Sequence, residues 1–378
     1  MVIGKIASSH YYVSGGIIVE DVLAELNKNP EISSLGVIDE RGSVIGVVAR
    51  NMFFDILGRP FGRDLYKNRQ IRSIVAEARQ FKYTTNIFSV AEELTFDLNL
   101  NGNIYYTLTG DDGRFFGVFS NRDLLVYLSQ ITQRDIGFAK IIQSGIIREE
   151  TSLENEYCEI LAGTKMAKDV GGDHYMIRKY DESRWFISVC DVAGKGVSAS
   201  LLSVLLSGMN HVYDFSRGIR HFILQLNDFI YTSFHSEKFL TGIFIDFDEK
   251  TGKATVFDAG HSYLFLCRNK KCISLKSASE NFPIGITPEY QPASYSFAMK
   301  SDDVLVLYTD GLVEQSNPEG ARYGSGTMAA LLTRMGGGSL AMIRHAVFSN
   351  IQTFRKHQAQ DDDMTMLMLR YSGNSEGR

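Results

Sequence analysis

Trp185-Phe-Ile-Ser-Val-Cys-Asp191-Val-Ala-Gly-Lys-Gly196 runs directly into Val197-Ser-Ala-Ser-Leu-Leu-Ser-Val-Leu-Leu206. The first half is an apolar strand, Gly194 and Gly196 mark a tight turn, and the Ser/Ala/Leu run is a helix. Asp191 therefore stands where a strand ends and the chain turns sharply, with glycines that let the backbone approach a bound group. Taken alone, an aspartate beside a glycine turn is ordinary turn chemistry. The surrounding chain adds further strands of five to eight residues: Leu240–Phe247, Lys253–Ala259, Tyr263–Cys267, Asp303–Tyr308 and Met364–Arg370. Long helical patterns cover Val197–Tyr213, Arg217–Phe234 and Met328–Phe354, the last interrupted by Gly336-Gly-Gly338. Strands flanked by long helices predict an α+β sandwich with helices outside packed sheets.

Four aspartates fall at strand ends in this pattern. Asp173 follows Val170-Gly-Gly172, Asp191 ends the opening strand, Asp310 follows Val304-Leu-Val-Leu-Tyr-Thr309, and Asp362 precedes the last strand. Carboxylates gathered at one rim repel one another and take up protons unless cations sit among them. With no His or Cys at ligand spacing, the oxygen set selects Mg²⁺ or Mn²⁺ over Zn²⁺. Two such ions roughly 3.5–4 Å apart can activate a water and hold a phosphate for in-line attack.

Seven motifs occur in a fixed order: Val170-Gly-Gly-Asp173-His-Tyr175, Asp191-Val-Ala-Gly-Lys-Gly-Val-Ser-Ala-Ser-Leu-Leu202, Phe239-Leu-Thr-Gly-Ile-Phe244, Asp258-Ala-Gly-His261, Pro283-Ile-Gly285, Leu307-Tyr-Thr-Asp-Gly-Leu-Val-Glu314 and Asp362-Asp-Met-Thr365. In this order they resemble the SpoIIE/RsbU-type phosphatases, a bacterial branch of the metal-dependent serine/threonine protein phosphatases (PPM, protein phosphatase 2C). The resemblance spans about residues 157–372 and implies a PPM-type α-β-β-α sandwich. It further implies that Asp191 bridges two Mn²⁺ or Mg²⁺ ions, that Asp310 and Asp362 complete the first site, and that Asp173 binds the second near the Val192 carbonyl. Asp191 and Asp310 are then the catalytic carboxylates, and phosphoserine or phosphothreonine is hydrolysed without a phospho-enzyme.

Departures limit the correspondence. Met176 and Ile177 stand where relatives often carry an acidic residue, and Lys168-Asp169 replaces a glutamate-containing lead-in. Val192-Ala193 stands where eukaryotic relatives place a histidine, so the general acid is unassigned. Lys195 reads as a turn cation, with orienting the phosphate as the alternative. His261 and His174 read as structural histidines, Asp363 as a solvated strand-edge residue and Asp361 as a surface residue.

Length and composition set the wider frame. At 378 residues two domains are expected. The net charge of -5 disfavours nucleic-acid and anionic-membrane partners. Neither a signal-peptide core nor a run of about 18 apolar residues occurs, which predicts a cytoplasmic protein without a membrane partner. Cys158, Cys190, Cys267 and Cys272 lack metal-site spacing and are expected to be reduced there, as small buried or half-exposed residues.

The first 130 residues contain a degenerate repeat of strand, turn, strand and helix, at Leu35 to Leu57 and again at Thr107 to Leu128. The turns fall at Glu40-Arg-Gly42 and Asp111-Asp-Gly113. A helical segment precedes each copy, around Ile18 to Leu26 and Val90 to Asn99. The pair resembles CBS modules, which implies one adenosine-type nucleotide site in which Ser120 meets a phosphate and Asp123 a ribose. An ordinary carboxylate at a helix N-terminus is the competing reading of Asp123. Helical spacing of Leu124, Leu128, Ile131, Phe138 and Ile142 predicts a signalling helix that also pairs in a homodimer, or one packed on its own domain. The expected organisation is a CBS-pair-like α/β regulatory domain (1–130), a helical linker (131–156), the phosphatase domain (157–372) and a tail (373–378).

By family resemblance the substrate is a phosphorylated anti-sigma-factor antagonist of the STAS type in a partner-switching pathway. Two rival readings are a phosphatase fold that has lost catalysis and only binds, and a hydrolase of small phosphorylated metabolites.

Overall fold

The repeat legible in the first 130 residues is a repeat of structure. In the computed structural model, which describes residues 1–98, 102–275 and 281–373, the chain divides into units 1–134 and 135–378. The N-terminal unit runs β1 (Tyr12–Ser14), α1 (Val19–Lys28), β2 (Ser34–Ile38), β3 (Val44–Ala49), α2 (Arg50–Gly58) and α3 (Gly62–Tyr66). The second copy runs β4 (Gln80–Lys82), α4 (Ile87–Glu93), α5 (Thr95–Leu98), β5 (Tyr105–Thr109), β6 (Phe115–Ser120) and α6 (Asn121–Ile146). In each copy the first strand is parallel to the second and the second antiparallel to the third. Both hairpins carry an irregularity at the matching place, Val37/Ile38 and Leu108/Thr109. Each copy has its own apolar core, around Val37 and Phe53 in one and Tyr106 and Phe119 in the other. Asn99, the expected end of the second copy's first helix, and the tail beyond 373 lie outside the described residues.

Helix α6 is continuous through Asp135, where a polar residue interrupts the apolar stripe. It ends before the expected linker does. Residues 150–154 form β7 (Glu150–Glu154), antiparallel to β8 (Cys158–Lys165). β7 is an edge strand with a mostly exposed, acidic surface, so it carries the charges that protect a sheet edge and none of the apolar alternation that marks a strand in sequence.

The C-terminal unit continues with β9 (His174–Lys179), β10 (Arg184–Val192), α7 (Val197–Val212), α8 (Ile219–Phe234), β11 (Leu240–Asp248), β12 (Lys253–Ala259), β13 (Leu264–Arg268), β14 (Lys271–Ser274) and β15 (Tyr295–Ala298). It closes with β16 (Val304–Tyr308), α9 (Gly311–Glu314), α10 (Ser325–Met335), α11 (Leu340–Arg355) and β17 (Met364–Tyr371). Two antiparallel sheets result, ordered β15-β12-β11-β10-β9 and β14-β13-β16-β17-β8-β7. Ile187, Val189, Ile243 and Ile245 of the first sheet pack on Ile160, Leu305, Leu307 and Leu367 of the second. The outer face of the first sheet is covered by α7 and α8, and that of the second by α10 and α11. Strands buried on both faces read as unbroken apolar runs, which is why β10, β11, β16 and β17 were visible in sequence.

One covering contact is unlike the others. Helix α7 buries Ser200, Ser203, Ser207 and Asn210 in a stripe beside its apolar Ala199, Leu202 and Leu206. Nearby, the buried His174 Nδ1, Ser188 Oγ and both polar atoms of the Asn210 side chain have no hydrogen-bond partner among the described residues. A second departure concerns the cysteines. Cys267 and Cys272, expected as free thiols, are disulfide-bonded, whereas Cys158 and Cys190 are free and buried. The pair lies directly opposite in the β13–β14 hairpin, which brings the two side chains to the same side of a two-stranded ribbon. No helix among the described residues is long and apolar enough to cross a membrane.

Candidate active site

The carboxylates singled out in sequence are set by four separate chain turns. β10 delivers Asp191 opposite Thr241 of β11, one residue before the strand ends. The following turn is fastened by Lys238, whose Nζ donates to the Ala193 carbonyl and the Ser198 hydroxyl at 3.3 and 3.2 Å. Asp310 leaves the end of β16 at the N-cap of α9, and Asp362 stands two residues before β17.

Asp173 is the most enclosed member, at 2% exposure. Thr309 Oγ1 donates to its Oδ2 at 2.7 Å and itself accepts from the Thr365 amide. The two preceding glycines permit this approach. A β-carbon on Gly172 would lie 3.0 Å from the Val192 carbonyl oxygen, and one on Gly171 would lie 2.0 Å from Asp363 Oδ2. Asp173 thus arrives beside Asp191 and the Val192 carbonyl by way of a loop that tolerates no side chain.

That loop is held by two residues. The buried Asp363 accepts from the Ala167 amide at 2.7 Å and the Gly172 amide at 2.8 Å, so it is not the solvated residue expected from sequence. It follows Asp361-Asp362 in a run that sequence cannot subdivide. Gln143 of α6, at 4% exposure, grips the same loop from the other side. Its Nε2 donates to the Gly171 carbonyl at 2.7 Å and to Ser203 Oγ at 2.9 Å, and its Oε1 accepts from the Gly171 amide at 3.1 Å. Asp361 is exposed as expected, yet its carboxylate accepts from the Ser316 amide.

The electrostatics bind the set together. Burial, followed by the charges of Asp310, Asp362 and Asp363, pushes Asp191 from the usual 3.8 up to about 7, against the pull of Lys195. Asp173 is driven well above the ordinary carboxylate range by burial and then by Asp191 and Asp363. Asp310 is raised by burial and by Asp362. Lys195 Nζ sits 2.8 Å from Asp362 Oδ2 and 2.8 Å from the Asp361 carbonyl. A pocket of about 190 Å³ opens beside Asp310 and Asp362.

Oxygen donors that raise one another's pKa fit hard divalent cations, which relieve the repulsion without needing nitrogen or sulfur ligands. Among the described residues no three His, Cys, Asp or Glu side chains are drawn together tightly enough to chelate an ion as they stand. Among the described residues, Lys195 is the ammonium that contacts the metal-ligand candidates.

Two histidines beside the rim, His174 and His261, are buried. His261 accepts from Thr241 at Nδ1 and donates to the Tyr308 carbonyl at Nε2, both at 2.8 Å, and burial lowers its pKa. His174 is pushed down to about 3 by burial. In the N-terminal unit, Asp123 Oδ2 accepts from both the amide and the hydroxyl of Ser120, and Ser120 Oγ accepts from the Asp123 amide. The two residues cap the start of α6 with each other.

Comparison with known proteins agrees with this architecture. The family described as "Stage II sporulation protein E (SpoIIE)" matches residues 181–372, just over half the chain. "Phosphoserine phosphatase RsbU" of Bacillus subtilis (strain 168) is 23% identical over 246 residues, 64% of this chain and 72% of that protein. "Phosphoserine phosphatase RsbP" of the same organism is 23% identical over 248 residues, 63% of this chain and 58% of that protein. The solved SiaA-PP2C domain of Pseudomonas aeruginosa shares the fold with a TM-score of 0.54 at 19% identity, over 64% of this chain and 98% of that domain. The two-sheet sandwich and the family match lead to one assignment: the chain belongs to the SpoIIE family and is a PPM-type serine phosphatase.

Proposed function

We propose that this chain dephosphorylates a phosphoserine or phosphothreonine in a cytoplasmic STAS-type anti-sigma-factor antagonist, within a partner-switching pathway. The observation that carries the reading is the convergence of Asp173, Asp191 and Asp310 with Asp362 at one rim of a SpoIIE-family sandwich. The names of the two curated relatives, both phosphoserine phosphatases, support the substrate class.

In this reading Asp191, Asp310 and Asp362 would hold one Mn²⁺ or Mg²⁺ ion, and Asp191 and Asp173 with the Val192 carbonyl would hold a second. Bound there, the ions supply Lewis-acid activation of water for direct displacement at phosphorus. The protein's part is orientation. Thr309 fixes the Asp173 carboxylate, Asp363 and Gln143 hold the loop that delivers it, and Lys238 holds the turn after Asp191. Burial lowers the pKa of both His174 and His261, and the group that protonates the departing serine oxygen is left unassigned.

Regulation falls to the N-terminal unit, read as a CBS-like pair on the strength of its repeated strand order. Ser120 and Asp123 are its candidate adenosine contacts, and a ligand there would compete with the helix cap they form. The Gln143 contacts make the end of α6 a route to the Asp173 loop. The exposed Phe138, Ile141, Ile142 and Ile146 on α6 support pairing with a second copy. The test is hydrolysis of a phosphoserine STAS protein by the full chain with Mn²⁺, with EDTA, and by Asp191→Ala. Turnover that needs Mn²⁺ and is lost in the variant is expected. Metal-independent turnover, or none, would overturn the proposal.

A further inference from the structure

The pocket beside Asp310 and Asp362 presents a charge problem. Asp310, Glu314, Asp361 and Asp362 line it with only Lys195 and Arg322 to oppose them, and a phosphoserine arrives as a dianion. Lys195 is committed to Asp362 and the Asp361 carbonyl. Arg322 is differently placed. One guanidinium nitrogen lies 3.1 Å from Glu314 Oε1, its side chain is 66% exposed, and it has no other side-chain partner among the described residues. A guanidinium carries five N–H donors in a planar fork, so contact with Glu314 leaves an edge free to face the pocket.

The turn that carries Arg322 is fixed to both metal-ligand segments. The Ser316 amide donates to Asp361 Oδ2, and the fully buried Gln315 donates to the Ala359 carbonyl and accepts from the Asp361 amide. The Tyr323 amide returns to the Gln315 carbonyl, and the Gly324 amide to Val313. Asn317 closes the turn by bonding Ala321 through both backbone and side chain. Arg322 is therefore anchored on one side to the segment after Asp310 and on the other to the segment before Asp362.

We propose that Arg322 is the substrate-phosphate-binding residue, held by Glu314 and gripping two phosphoryl oxygens of the phosphoprotein through its free edge. The inference rests on the phosphatase reading above and adds to it the group that receives the dianion. The experiment is steady-state kinetics of the full chain at saturating Mn²⁺, on a phosphoserine protein and on para-nitrophenyl phosphate. Arg322→Ala and Arg322→Lys are compared, with Mn²⁺ affinity by calorimetry and thermal unfolding measured alongside. Loss of a charge-assisted hydrogen-bonded contact predicts that Arg322→Ala raises KM on both substrates about 10- to 100-fold. kcat should change only a few-fold, with Mn²⁺ affinity and unfolding temperature unchanged. Arg322→Lys should recover part of the KM, because an ammonium restores charge but not the bidentate fork. An unchanged KM in an active enzyme overturns this assignment alone, as does a parallel fall in Mn²⁺ affinity, which would place Arg322 among the supports of the metal ligands. A wild-type chain without Mn²⁺-dependent turnover overturns the phosphatase reading and this inference with it.

Discussion

Replacing Asp191 by Asn should stabilise the protein when divalent metal is withheld and destabilise it relative to wild type when metal is supplied. Asn preserves the shape of the side chain and removes its charge. In the folded protein the Asp191 carboxyl is displaced from 3.8 to about 7 by burial and by Asp310, Asp362 and Asp363, which corresponds to a ceiling of about 4 kcal/mol at alkaline pH. Solvent access and relaxation reduce this to roughly 1–3 kcal/mol. The sign follows from linkage. A carboxyl whose folded pKa is raised binds its proton more tightly in the native state, so its contribution is full below about 4 and is lost as pH rises through about 7. Thermal unfolding of the full chain in EDTA should therefore show Asp191→Asn above wild type at pH 8, by about 2–10 °C for the C-terminal transition, and a smaller gap at pH 5. With Mn²⁺ at about 1,000 times its Kd, the wild type gains about 4.1 kcal/mol that the variant lacks, and the order should reverse. A variant less stable than wild type in EDTA at pH 8, or a gap that does not grow with pH, would refute the account of these carboxylates as a repelling set.

Two other perturbations probe the loop that delivers Asp173. Asp363→Ala strips the acceptor from the Ala167 and Gly172 amides, and urea denaturation should show a loss of about 1–3 kcal/mol. Calorimetry should show weaker Mn²⁺ binding in the same variant, and wild-type values in both measurements would return Asp363 to the role of a bystander. Gln143→Leu keeps the side-chain volume but leaves the Gly171 amide without its acceptor, at a cost of about 1–3 kcal/mol. A Mn²⁺ affinity unchanged by Gln143→Leu would show that the end of α6 has no hold on the metal site.

Sequence revealed β10 to β13, β16 and β17, whose apolar runs are long or whose ends are punctuated, but not β8, which is buried along nearly its whole length. β12 has the bounds read from sequence, α7 begins at Val197 after its glycine turn, and Gly336-Gly-Gly338 separates α10 from α11. The aspartates at strand ends were legible for the same reason, since each follows or precedes an apolar run. β7 and β14 were not, because edge strands with exposed faces carry no period that distinguishes them from polar connections. The burial of Asp363 is not legible because one residue's displacement along Asp361-Asp362-Asp363 decides between solvent and the Ala167 and Gly172 amides, and local composition does not encode that choice. Cys267 and Cys272 pair across a turn at Asn269-Lys270, a relation that depends on hairpin register. The Gln143 contact joins residues 28 and 60 positions apart, which no local pattern reports.

The polar stripe on α7 has a consequence for how the molecule opens. Where α8 offers Phe222, Ile223, Leu226 and Ile230 to its sheet, α7 sets serines and an asparagine beside buried polar atoms that have no partner among the described residues. Each such atom subtracts from the free energy holding that helix in place. Local opening draws on the least stable segment first, so amide hydrogens of α7 should exchange with solvent ahead of those in α8 and in the sheet beneath. If α7, which begins six residues after Asp191, exchanges first, the candidate catalytic rim can loosen without unfolding the core behind it.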